Sequence, residues 1–420
     1  MKAARAIIIS LILGILFGWV IRNISLPQAT TNSLLEYLSM ASDIFIKLIK
    51  MIVAPLIFAS LSLGVINIGE NSKGLGVLFG RVLGLFVISS ICSLFIGWFV
   101  IDLFKPGLSM VEVGKSLLES GTIAGGKFDS SSISLSHFVQ ETIPDNIINA
   151  FAGGHIIQIV IFSIFFGIAL TKVNPAGREL MRNLLDTLMH AMFAICNIVM
   201  KLVPIAVFAS IANVIIKNGF GVLYTYMVFI VEYYLALIVV WLVIYAVSLK
   251  VVGRKINELI KAIIPPLSLS FATSSSEVAY PAVFEALEEH GVREKISSFV
   301  MPMGYSFNMI GSMVYFSFAI IFITQVFGID ISFTDKLYIF FMLLITSKGI
   351  AGVPRASIMV ISSAVTAFHF PAASILLLLP IDAFADMGRS ATNVYANAVM
   401  TTFIDKWHKD VKYYQIYNSD

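Results

Sequence analysis

Six stretches of this chain, roughly residues 4–22, 36–67, 80–104, 145–172, 188–216 and 221–249, are candidate bilayer crossings, and several segments run for about 20 residues with almost no charged side chain. A helix of about 20 apolar residues matches the hydrocarbon thickness of a membrane, so this pattern excludes most soluble folds at once. Composition agrees: 58% of the residues are hydrophobic and 13% charged, the latter about half the fraction usual in soluble domains. Abundant Phe, Ile and Leu exclude a disordered chain. The net charge of +3 is spread over loops and points to no nucleic-acid partner. Cys92 and Cys196 lie inside apolar runs, which argues against a disulfide framework and against zinc. His369 reads as a solvated or interfacial side chain and His137, His155, His190, His290 and His408 show no ligand spacing, so neither a metal site nor a cofactor is expected. The apolar run Ala6 to Ile21 is longer than a signal-peptide core and lacks a clear cleavage site, so it reads as the first span. Lys47 and Lys50 read as boundary residues that snorkel to the interface.

Basic residues orient the spans. Lys2 and Arg5 precede the first one, which predicts a cytoplasmic N-terminus. Lys73 and Arg81 flank the second loop; Lys172, Arg178 and Arg182 fill the fourth; Lys250, Arg254, Lys255 and Lys261 fill the sixth. All three loops fall inside if each span crosses once. The loop 105–144 is Ser/Gly-rich and Lys217 stands alone, as outer loops should.

After Lys261 the pattern changes. An apolar stretch entered at Pro265-Pro266 is interrupted by Thr273-Ser274-Ser275-Ser276-Glu277 and resumes at Val278. Its arms are too short to cross, and basic residues stand at both ends, which predicts a re-entrant helical hairpin with a serine tip. A full span, Phe299 to Val326, follows. A second interrupted segment has arms Leu337 to Ile345 and Ala356 to about Thr366 around Ser347-Lys348-Gly349-Ile350-Ala351-Gly352-Val353-Pro354-Arg355. The last span, about Ala372 to Phe403, ends at Lys406, Lys409 and Lys412, again inside. Unpaired backbone at such tips must be buried in protein or line a watery cavity. Paired interrupted segments are the sequence mark of a transporter binding site.

The last span carries Asp382, Asp386, Arg389, Ser390, Asn393 and Asn397. An ionised group at mid-bilayer costs on the order of 3 kcal/mol or more, so these residues should face protein and carry function. Asp386 through Asn397 fall on one helical stripe. Arg389 offers a planar fork for a carboxylate and Asp386 can receive an ammonium, which suits a zwitterion with an extra carboxylate. An internal Asp386–Arg389 ion pair between helices is an equal alternative. Asn308-Met309-Ile310-Gly311-Ser312, in the span before, could open its helix locally or simply pack there.

Together these motifs resemble the dicarboxylate/amino acid:cation symporter family, the prokaryotic relatives of the glutamate transporters. The likeness covers nearly the whole chain. It includes Phe45 to Ser60, the tip Ser274-Ser275-Ser276, the Asn-Met-x-Gly run at Asn308, Ala351-Gly352-Val353-Pro354, and Asp386-Met387-Gly388-Arg389-Ser390-Ala391-Thr392-Asn393-Val394. The resemblance implies an all-α polytopic membrane protein of eight transmembrane helices and two re-entrant hairpins, working as an inverted-repeat elevator in a homotrimer. It implies a scaffold at 1–75 and 111–220, a transport domain at 76–110 and 221–410, and a cytoplasmic tail at 411–420. The location implied is the inner membrane of a prokaryote. The implied substrate is a small acidic amino acid, held by Ser275, Ser276, Gly352, Val353, Asp386, Arg389, Ser390 and Asn393. In that scheme Arg389 grips the side-chain carboxylate, Asp386 the amino group, and the two tips the α-carboxylate. Hairpin two would be the gate, at Ser347, Gly349, Gly352, Pro354 and Arg355. Family members that carry plain dicarboxylates lack an acid at the position of Asp386, which favours glutamate or aspartate here.

Departures from the family pattern bear on coupling. The usual Asn-Met-Asp-Gly-Thr reads Ile310 for the acid and Ser312 for the threonine, and a sodium-ligating Asp reads Asn397. Hard cations want charged oxygen ligands. Loss of two carboxylates predicts impaired sodium sites and coupling to protons. Residues considered for the coupling ion are Asn308, Ser312, Asp382, Asp386, Asn397 and Glu277. Arg355 replaces a common glycine and would bring positive charge near the empty site, or sit in a surface loop. The competing functions are sodium-coupled acidic amino acid symport, C4-dicarboxylate symport, an ion channel built from paired half-helices, and a membrane hydrolase using Ser275 or Ser276. The last lacks a nearby histidine to activate the serine. The chain therefore reads as a carrier and not an enzyme.

Overall fold

The computed structural model describes residues 2–24, 27–119, 143–153, 155–347, 356–368 and 370–409. Among them there is no strand; the regular elements are helices. The first four are α1 (Lys2–Asn23), α2 (Gln28–Phe104), a 3-10 turn (Pro106–Met110) and α3 (Val111–Glu119). Then come α4 (Ile147–Gly153), α5 (Ile156–Thr171), α6 (Pro175–Met200), α7 (Val203–Asn218) and α8 (Gly221–Val252). Hairpin one is α9 (Lys255–Thr273) and α10 (Tyr280–Glu289); α11 (Glu294–Phe307) and α12 (Ile310–Phe327) follow. Hairpin two is α13 (Phe333–Thr346) and α14 (Ala356–Ala367), and α15 (Ser374–Lys409) ends the described chain.

Apolar side chains lie both inside and outside. On α8, Tyr224, Met227, Val231, Leu235, Ile238 and Leu242 make an exposed stripe, opposite buried Phe229, Tyr233, Ala236 and Val240. Such a helix is stable only where the surroundings are apolar as well, which is the condition in lipid. Gly80–Phe104, Gly221–Val252 and Phe299–Phe327 are each long and apolar enough to cross a bilayer.

Two of the expected boundaries differ. Residues 68–79, expected as a loop, continue helical hydrogen bonding, so α2 is one helix of 77 residues. It is not straight. A Cβ on Gly64 would lie 3.2 Å from the Phe307 ring, while Ser89 hydrogen bonds Asn308, the next residue, at 3.0 Å. A straight helix would hold residues 64 and 89 about 37 Å apart. The axis therefore bends back between them, and the connection is made by helix instead of loop. The fifth span, expected to run 188–216 unbroken, is interrupted at Lys201 and Leu202. Pro204 explains it: a proline has no N–H for the carbonyl four residues back and its ring clashes there.

Residue pairs fix the relative directions. Gly14 meets Phe208, Gly18 meets Ala212 and Arg22 donates to the carbonyls of Ile216 and Lys217 at 2.9 Å, so α1 and α7 are parallel. Tyr234 pairs with Phe384, Leu237 with Gly388 and Trp241 with Thr392, so α8 and α15 are parallel. α12 runs against both, with Tyr233 beside Gly311 and Phe229 beside Phe322. It lies at the centre, buried over nearly its whole length, and the second half of α2 runs alongside. A Cβ on Gly97 of α2 would come within 2.9 Å of the Val314 carbonyl, so only glycine permits this approach.

Candidate functional site

The site forms where α15 passes the break between α11 and α12. Asn308 and Met309 leave helical geometry, with φ, ψ of −119°, 58° and −89°, 65°. The local opening expected at this run is present. Such a break exposes the first N–H groups of α12, which need partners. Asn393 supplies one: its Oδ1 accepts from Gly311 N at 2.8 Å. Tyr233 of α8 donates to the Gly311 carbonyl at 3.2 Å. A Cβ on Gly311 would lie 3.0 Å from Arg389 Cα, so this glycine sets how closely α12 approaches α15.

Asp382, Asp386, Arg389, Ser390, Asn393 and Asn397 are all buried. The sequence stripe is thus an interior face. Arg389 and Asp386 form a buried ion pair through Nη2 and Oδ1. The guanidinium also sits 6.0 Å over the Tyr315 ring, a cation–π arrangement. Asp382 lies against Tyr315 and the same guanidinium. Arg389 Nη1 is buried and has no hydrogen-bond partner among the described residues. A buried donor without an acceptor is costly, and an anionic ligand would satisfy it.

Asn308 is the second node. Its Oδ1 accepts from Ser89 Oγ at 3.0 Å, and its Nδ2 donates to Asn397 Oδ1 at 2.8 Å. Ser312 stands 3.5 Å from Asn393 Nδ2. Ile310 is fully buried and walls a cavity of about 150 Å³ together with Ser89, Cys92, Ser93, Val240 and Met400. The lining is mostly apolar, and the expected carboxylate is replaced there by hydrocarbon.

Hairpin one closes its tip through Ser274, whose φ of 54° is left-handed, and Ser275 N, which bonds Ser270 O at 3.3 Å. Ser275 and Ser276 are buried, while Glu277 opens the following 3-10 turn with its side chain exposed. α9, the helix that leads into this tip, packs along α15. At hairpin two, Ser347 is buried and its Oγ donates to Leu344 O at 2.8 Å. Gly349, Gly352, Val353, Pro354 and Arg355 lie outside the described residues.

Sequence reading passed over three residues beside the site. Tyr233 and Tyr315 are aromatic residues in apolar runs and carry no local signal. Glu232 did carry one, as a lone acid in the middle of the sixth span.

The chemistry available is a buried cation with one unused donor, acids beside it, and amides that open a helix end. The arrangement suits binding of a small anion.

Comparison with known proteins agrees in kind. The profile of the sodium:dicarboxylate symporter family matches residues 4–407. A proton/glutamate-aspartate symporter of Escherichia coli K12 is 32% identical over 414 residues, covering 97% of this chain and 93% of that protein. A C4-dicarboxylate transport protein of Laribacter hongkongensis is 34% identical, covering 96% and 88%. Another C4-dicarboxylate transport protein, of Acinetobacter baylyi, is 35% identical, covering 89% and 83%. With its helical membrane architecture and this match along almost its full length, the chain belongs to the sodium:dicarboxylate symporter family.

Proposed function

We propose that this symporter imports acidic amino acids, glutamate or aspartate, with protons as the coupling ion. The observation that carries the substrate reading is the buried Arg389, whose Nη1 has no partner among the described residues, beside Asp386 on the same stripe. A substrate carboxylate would take the Arg389 donor. Its ammonium would take Asp386, which exchanges one ion pair for two. Ser275 and Ser276, with Gly352 and Val353 of hairpin two, would hold the α-carboxylate; Ser390 and Asn393 would add hydrogen bonds. Hairpin two is the gate in this reading. The protein works as a homotrimer, with residues 76–110 and 221–410 moving against the remainder.

Proton coupling rests on Ile310 and Asn397, which leave the region around Asn308 without a carboxylate at either position. A cation that sheds its water there would meet amides, hydroxyls and hydrocarbon. The name of the Escherichia coli relative is in line with this reading.

A second reading is C4-dicarboxylate symport. Its support is that Asp386 is already engaged by Arg389, together with the names of relatives at similar identity. Uptake by purified protein in liposomes separates the readings. Labelled aspartate, glutamate and succinate are offered under pH and sodium gradients imposed separately. The proposal expects aspartate or glutamate to accumulate on the pH gradient alone, with little change on adding sodium. Accumulation of succinate alone would establish the second reading; a strict sodium requirement would end the proton one.

A further inference from the structure

Glu232 is the buried acid that the site does not use. It lies in α8, a helix long and apolar enough to cross the membrane, and the residue is 5% exposed. It belongs to the inward stripe with Phe229, Ala236 and Val240, while Val231 and Leu235 on either side of it face outward at 64% and 41% exposure. Its Oε2 has no hydrogen-bond partner among the described residues.

Among the described residues no charged group pairs with it. Of the elements packed on α8, α2 carries Cys92 and Asp102 in its second half, α12 carries Tyr315, and α15 carries Asp382, Asp386, Arg389 and Tyr395 alongside it. The 3-10 turn brings no titratable side chain. The charges of α7 and α9, namely Lys217 and then Lys255, Glu258 and Lys261, stand at the last turn of one helix and the first two turns of the other. Among the described residues none of these reaches Glu232 Oε2 with a hydrogen bond. On its own helix the neighbours are Tyr226 and Tyr233, both buried. A carboxylate in this position would be an uncompensated charge in hydrocarbon, whereas the neutral acid fits.

Its place also couples it to the substrate face. The next residue, Tyr233, donates to the Gly311 carbonyl, and Gly311 packs on Arg389. Seven residues toward the start of α8 on the same stripe, Thr225 and Ser109 are hydrogen-bonded at 2.6 Å, a polar pair on the way to the helix end.

We propose that Glu232 is a proton-carrying residue of the symport cycle. This rests on the proton-coupled reading above. Glu232 is neutral in the loaded carrier and ionised when water reaches it. Its carboxylate takes a proton from water on one side, forming an O–H bond, and returns that proton to water on the other. No other bond forms or breaks.

The test uses full-length protein in liposomes with the membrane potential held at zero, labelled aspartate and succinate as probes, and the variants Glu232→Gln and Glu232→Asp. One proton per substrate in a gradient of one pH unit sustains accumulation of at most about tenfold. Wild type should approach that value. Glu232→Gln, which keeps the shape of the neutral acid, should only equilibrate its substrate. It should nevertheless exchange internal for external substrate within about twofold of the wild-type rate, because exchange needs no return of the proton-free carrier. Glu232→Asp should keep accumulation driven by the pH gradient. Accumulation by Glu232→Gln equal to wild type overturns the proposal. So does loss of exchange together with accumulation, or failure of that variant to insert, either of which assigns Glu232 a packing role. Failure of wild type itself to accumulate on the pH gradient would instead defeat the underlying proton-coupled reading.

Discussion

Asn308 Nδ2 donates to Asn397 Oδ1 at 2.8 Å, so the two amides are joined where the break before α12 meets α15. Ser89 completes the set by donating to Asn308 Oδ1. An amide pair is content without a cation, whereas a carboxylate at position 397 would bring a buried charge that requires one.

Asn397→Asp should therefore make the carrier responsive to sodium. The expected outcome is a rise in apparent substrate affinity on adding sodium at constant pH, on the order of tenfold, corresponding to about 1.4 kcal/mol of coupling. Substrate binding titrated at several sodium concentrations reads it directly. An unchanged affinity would mean that Ile310 and the apolar cavity beside it already preclude the ion.

Arg389→Ala should abolish uptake of acidic substrates. It strands Asp386 and removes the partner of the substrate carboxylate, and breaking a buried pair costs about 3–5 kcal/mol. Binding should weaken by at least about a hundredfold, since each 1.4 kcal/mol is tenfold. Normal transport by this variant would remove Arg389 from the site.

Asp386→Asn separates recognition from scaffolding. If Asp386 receives an ammonium, aspartate uptake should fall by about tenfold or more while succinate, which has no ammonium, is affected far less. Equal loss of both, in protein that still folds, would make the Asp386–Arg389 pair structural. Parallel uptake assays with the two substrates decide between these outcomes.

Ser210→Ala tests how α15 is anchored. Pro380 has no N–H for the Leu376 carbonyl four residues back. That carbonyl accepts from Ser210 Oγ of α7 at 2.8 Å instead. Removing the hydroxyl should cost about 1–2 kcal/mol, seen as a lower unfolding temperature in detergent. In a Pro380→Ala background the helix supplies its own N–H, so the same substitution should cost markedly less; a double-mutant cycle on thermal unfolding measures the difference.

Much of the architecture could be read locally. Apolar runs of bilayer length, Ser274-Ser275-Ser276 between two short arms and the polar stripe from Asp386 to Asn397 all announce themselves, because lipid leaves backbone and charge few alternatives. The break at Asn308 was foreseeable from its glycine and amides. Pro204 likewise gave away a helix interruption that a simple hydropathy reading ran through. Residues 68–79 deceived in the other direction: a gap between two apolar runs, flanked by Lys73 and Arg81, suggested a loop, but helical hydrogen bonds satisfy the same backbone while the axis bends.

Sequence alone determined the membrane class, the two hairpins and the set of polar residues that face inward, since each follows from the cost of polar groups in hydrocarbon over a few turns of one segment. Tertiary structure decided which of those residues meet. Asn308 finds Asn397 across 89 positions and Tyr233 finds Gly311 across 78. It also decided that Ile310 walls an apolar cavity and that Glu232 turns inward, its Oε2 without a partner among the described residues. Those facts depend on how helices far apart in the chain pack side by side, and periodicity within one helix carries no information about the face another helix will present to it.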